Sequence, residues 1–133
     1  PVDVVFIMLG TNDAKRQFST NAISIEKGIR TLMYKALNPE IYRDGSNTPQ
    51  FFVVCPPKMN IDGLKNERTK SNFGQIGFEI LDNTMPYLEK GCSGLDVKVI
   101  DTHAVAGSLD GIHMDESGHK LVADALISVI KEL

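Results

Sequence analysis

The chain contains no tryptophan and only two cysteines in 133 residues. Cys55 and Cys92 are too few for a disulfide framework and lack the paired spacing of a zinc knuckle, so both read as reduced thiols. No apolar run approaches the ~20 residues that cross a bilayer, so nothing here calls for a membrane. A net charge of −3 offers no electrostatic basis for binding nucleic acid or an anionic lipid surface. No leader peptide is visible, but the chain opens on Pro1 rather than Met. A cytoplasmic location is expected, and that opening leaves secretion open. Internal repeats, low-complexity tracts and linkers are also missing. Hydrophobic residues at 42% and charged residues at 23% exclude disorder. The length suits one domain over 1–133, able to bury about two thirds of its unfolded surface.

Three apolar, β-branched runs stand out: Val2 to Leu9, Phe51 to Cys55 and Val97 to Ile100. Near-continuous runs of this kind read as parallel strands buried on both faces. Helical periodicity fills the intervals. Ile25, Ile29, Leu32, Met33, Ala36 and Leu37 share one face. Phe73, Ile76, Ile80, Leu81, Thr84 and Leu88 share another, closed by Lys90-Gly91 and kinked or split near its end by Pro86. Leu121, Val122, Ala125, Leu126, Val129 and Leu133 form a third stripe, with Asp115 as N-cap and Glu116 in the first turn. The order β-α-β-α-β-α predicts an α/β fold: a parallel sheet, right-handed crossovers and helices on its faces. Ligands in such sheets bind beyond the carboxyl ends of the strands, here near Leu9, Cys55 and Ile100. Two long loops, Asn38 to Gln50 and Pro56 to Lys70, complete the chain.

Gly10-Thr11-Asn12-Asp13 follows the first strand. As local structure it is a β-to-α turn, with Asp13 tying it down. As chemistry it aims the Asn12 amide into a site, where it can donate to a developing oxyanion. Asp110-Gly111-Ile112-His113 follows the third strand. A three-residue separation within one turn lets the carboxylate reach the ring of the same histidine. That sets the tautomer of a general base. A solvated turn with Asp110 as a cap is the plainer alternative.

Taken together, GTND after a buried strand, then DGIH, then an amphipathic terminal helix resemble the SGNH (GDSL-type) hydrolase family, on its arylesterase and acyltransferase side. The resemblance implies a three-layer, flavodoxin-like α/β/α fold, of which this chain is the C-terminal three β-α units. It implies hydrolysis or acyl transfer of small carboxylic esters through a Ser-His-Asp triad. His113 and Asp110 match the family's triad block, and Asn12 with Gly10 its oxyanion block. No metal or organic cofactor is implied.

The family's GDS-type serine block and its glycine block both lie upstream of GxND. Neither occurs here, so the nucleophile is expected outside this chain and the chain alone is expected to be inactive. Gly91-Cys92-Ser93-Gly94 only approximates a G-x-S-x-G elbow and precedes the third strand, on the side away from the site. Two rival readings are a non-catalytic α/β fragment or complementation module, and a metal-dependent hydrolase. The second would use Asp101, His103, Asp110, His113, Asp115 and His119, whose spacings fit no zinc or iron signature. His103 reads as a local turn contact and His119 as a packing or capping residue. In the Pro56 to Lys70 loop, Lys58, Lys65, Arg68 and Lys70 read as a solvated rim. Met59, Ile61 and Leu64 could wall a pocket there. The apolar strand Val2 to Leu9, guarded only by Pro1 and Asp3, should expose an edge. That edge would pair with a second copy or with the upstream segment.

Overall fold

The computed structural model describes residues 2–43 and 46–133. Pro1, expected to guard the sheet edge, lies outside the described residues. Three parallel strands run in the order β1 (Val4–Ile7), β2 (Gln50–Val54) and β3 (Val97–Ile100). β1 is shorter at both ends than the apolar run suggested, because Met8 and Leu9 already leave the sheet toward the turn.

Register places Val5, Phe51 and Val97 side by side, and Ile7, Val53 and Val99 one step on. These six share a face with Ile25, Ile29 and Met33 of α1 (Ala22–Ala36) and Leu88 and Cys92 of α4 (Thr84–Cys92). Two crossovers stepping the same way across the sheet put both helices on one face, as right-handed connections require. Gly91 makes the α1–α4 contact possible, since a Cβ there would come 2.8 Å from the Glu26 carbonyl. Arg30 of α1 then donates to the Gly91 and Ser93 carbonyls at 3.0 and 3.1 Å.

The opposite face carries Phe6 stacked on Phe52, with ring centroids 5.2 Å apart. Phe52 and Val54 are fully buried, whereas β1 is half-buried along its whole length. The central strand therefore shows the two-sided burial read from its sequence, and β1 is an edge strand among the described residues.

The second helical stripe is not one helix. It divides at Asn83 into α3 (Gly74–Asp82) and α4, and a short polar helix, α2 (Glu67–Asn72), precedes it. Gly74 at φ +58 separates α2 from α3. Pro86 sits in the first turn of α4, where its missing N–H costs no helical bond, so it does not kink a continuous helix. Ile76 and Leu32, assigned to buried stripes, are exposed. α5 (Glu116–Lys131) starts at the expected cap: Asp115 Oδ1 accepts from Gly118 N at 3.0 Å. Its apolar stripe is at most half-buried, and Leu121 and Leu133 are exposed.

Candidate active site

Beyond the carboxyl ends of β2 and β3 the two chain segments stay paired. Lys58 N donates to Ala104 O at 3.0 Å, and Ala106 N to Lys58 O at 2.8 Å. This parallel extension carries the Pro56–Lys70 loop alongside the segment leading to His113. The loop then grips the Asp-Gly-Ile-His turn directly. Asn60 N donates to Gly111 O at 3.1 Å, and Thr69 Oγ1 to Asp110 O at 2.7 Å. Gly63 and Gly111 meet backbone to backbone. A Cβ on Gly63 would lie 2.6 Å from the Gly111 Cα, and Gly111 has φ +74. The loop read as a solvated rim is thus the scaffold of the turn. Met59 is core, Ile61 is exposed, and neither Ile61 nor Leu64 lines the cleft beside His113.

Within the turn, Asp110 Oδ1 accepts from Ile112 N and His113 N at 2.9 and 3.0 Å. Asp110 Oδ2 lies 2.6 Å from His113 Nδ1. The ring hydrogen bond first, then the two backbone N–H groups, hold the Asp110 carboxyl down at about 2. Near neutral pH Asp110 is an ionised, acceptor-only group, so Nδ1 must carry the proton. The Nε2 lone pair is left to act as a base. The spacing argument from the sequence therefore holds at the level of atoms.

Asn12 opens a short 3-10 turn after β1 and lines the same cleft, of about 340 Å³, as Asp110 and His113. Lys15, Arg68, Asn66, Thr69 and Phe73 share its walls. The structure brings Asn12 to Asp110 and His113 although about a hundred residues separate it from that pair in sequence. Gly10 does not line this cleft. It is buried at φ +126, a conformation that favours glycine, and makes the sharp exit from β1 toward Asn12. Asp13 does not tie the turn down: its side chain makes no hydrogen bond among the described residues. Backbone bonds from Ala14 N to Gly10 O and Thr11 O close it, both at 3.3 Å.

The other histidines stay apart. His103 repeats the local acid pairing, with Nδ1 3.2 Å from Asp101 Oδ2, but it is 83% exposed and lines no part of the cleft. His119 is exposed on α5. Among the described residues no three His, Cys, Asp or Glu side chains converge on a metal position. Both cysteines are buried and unpaired, and burial pushes the Cys55 thiol up to about 12. Gly91 to Gly94 lead into the amino end of β3, across the sheet from His113. A larger cavity, of about 600 Å³, lies beside Arg16, Gly74 and Ile76 and holds no acid–base pair. No helix among the described residues is long and apolar enough to cross a membrane.

Sequence reasoning did not find Lys15, Asn66 and Thr69. Asn66 had a legible signal, an Asn before Glu67 that caps α2 by accepting from Arg68 N and Thr69 N. Thr69 had none, because its partner lies 41 residues away.

The parallel α/β sheet with helices on its faces is the flavodoxin-like fold of the SGNH hydrolases. Residues 1–126 match the family described as GDSL-like Lipase/Acylhydrolase, and the chain belongs to that family. Its structure is similar to a carbohydrate acetylesterase family member from Sinorhizobium meliloti, at 25% identity and TM-score 0.87, covering 99% of this chain and 62% of that one. It is equally similar to the native aryl esterase of M. smegmatis, at 25% identity and TM-score 0.87, covering 100% and 62%. The inhibitor-bound form of that enzyme gives 26% identity and TM-score 0.86 over the same shares. The chain thus spans less than two thirds of the length of these structures. Among curated proteins no match is found.

Proposed function

We propose that the protein carrying this chain hydrolyses small carboxylic esters, or passes their acyl group to another alcohol, through a Ser-His-Asp triad. The observation that carries this is the 2.6 Å His113–Asp110 pair facing the same cleft as Asn12. Family membership and the two esterase relatives support it. A serine from a segment outside this chain attacks the ester carbonyl, and His113 Nε2 takes its proton. Asp110 fixes the ring and stabilises the imidazolium. The Asn12 amide donates to the oxyanion as the carbonyl becomes tetrahedral. His113 then protonates the leaving alcohol, and water or a second alcohol releases the acyl group. No metal or organic cofactor enters these steps.

The full-length protein is assayed on a short-chain aryl ester and treated with a serine-directed organophosphonate. The reading expects labelling on a serine outside these 133 residues and loss of turnover in His113→Ala. A protein that neither labels nor turns over is a non-catalytic module. Turnover that a chelator abolishes and the organophosphonate spares would point to metal-dependent hydrolysis instead.

The apolar edge of β1 supports a second proposal, association with the rest of the parent domain or with another copy. Val4, Val5, Phe6 and Ile7 are only half-buried there, and of the flanking residues only Asp3 is charged.

A further inference from the structure

The cleft beside His113 is cationic in a chain that is acidic overall. Lys15 and Arg68 both line it, and neither side chain makes an ion pair or hydrogen bond with any described residue. Lys15 only overlies the Phe73 ring, with Nζ 6.0 Å from its centroid. The cleft's single carboxylate is Asp110, and both its oxygens are already taken by His113 and the backbone. Its ion pair is with His113, and it makes none with Lys15 or Arg68. Four other cations are matched, Lys58 by Asp82, Lys65 by Asp62, Lys90 by Glu26 and Lys120 by Asp124, and none of the four lines this cleft. Lys15, after β1, and Arg68, on α2, stand on different elements, and what sets them apart from the chain's other unpaired cations is that both line the cleft of Asp110 and His113. Both positions are fixed, the first by the backbone-bonded turn and the second by the Asn66 cap and the Thr69–Asp110 bond. A planar guanidinium and an ammonium lining one cleft suit an oxyacid group.

We propose that Lys15 and Arg68 are specificity-determining residues that select esters bearing a carboxylate or phosphate on the part of the substrate that does not react. The proposal rests on the ester chemistry proposed above. It is tested in the full-length protein with two near-isosteric esters, an aryl hydrogen succinate and its neutral methyl ester. The expected ratio of kcat/KM favours the anionic ester roughly ten- to hundred-fold, the range of one charge-assisted hydrogen bond. Arg68→Gln and Lys15→Gln each cut that ratio about tenfold, Arg68→Lys restores part of it, and added salt erodes it. A ratio near one, or one that neither substitution moves, overturns the proposal. Binding is read separately by calorimetry with succinate and with inorganic phosphate. If neither ester turns over, the ester reading fails. Succinate or phosphate binding that Arg68→Gln abolishes would still uphold the anion site, and absence of both would overturn it. Competition between the two anions distinguishes a general oxyacid site from one that takes carboxylates alone.

Discussion

Both Asp110 oxygens are occupied, and this fixes the direction of its pH linkage. Its native pKa of about 2 lies below the ordinary 3.8. A depressed carboxyl contributes stability above its unfolded pKa and loses it as pH falls through the folded one. Protonation should therefore break the His113 contact between about pH 4 and pH 2. Carbon-detected NMR titration of Asp110 should show a midpoint near 2 that rises toward the ordinary value in His113→Ala. An unshifted midpoint would mean that the 2.6 Å bond is absent in solution. Asn12 is tested by kinetics. In the full-length enzyme Asn12→Ala should lower kcat roughly 10²–10³-fold, the loss expected for one oxyanion donor. KM should change much less, because the bond forms mainly in the transition state. A fall in melting temperature with unchanged kcat would reduce Asn12 to a turn residue.

Among the elements, the contact between Gly63 and Gly111 decides whether the Asp-His turn is held. Gly63 has no positive φ to relieve, so Gly63→Ala tests the steric contact alone. Its Cβ would meet backbone, which cannot swing aside. We expect a loss of about 1–3 kcal/mol, typical of overpacking, and a larger proportional loss of turnover as the turn shifts. Denaturant melts and esterase assays on the same variant check both. Gly28 is the opposite case. It lies within α1 and is exposed, and a Cβ there would meet nothing within 4 Å. Gly28→Ala should stabilise the protein by roughly 0.5–1 kcal/mol, since Ala loses less backbone entropy in a helix. A neutral or negative change would mean that another part of the protein occupies that space.

For the whole molecule, the exposed β1 edge and the half-covered stripe of α5 predict behaviour of the chain by itself. The 133-residue chain should show no ester turnover above background and should self-associate. Sedimentation should show larger species that shrink when the upstream part of the parent protein is added. A stable monomer at high concentration, or turnover abolished by His113→Ala, would overturn this. The core strand Phe51 to Cys55, the capped helix at Asp115 and the Asp110–His113 pair were all legible in the sequence. Each rests on local physics: two-sided apolar runs, a side chain capping its own helix, an acid reaching three residues along one turn. The single helix expected from Phe73 to Leu88 was not borne out. A shared apolar stripe carries no record of the break at Asn83, because α3 and α4 both turn Ile80, Leu81 and Leu88 toward the same core. Nor could sequence decide that Thr69 and Gly63 hold the Asp-His turn, or that Lys15 and Arg68 meet at one cleft. Those pairings join segments far apart along the chain: the parallel extension of β2 and β3 sets the loop against the Asp-His turn, and the pairing of β1 with β2 brings Lys15 to the same end of the sheet.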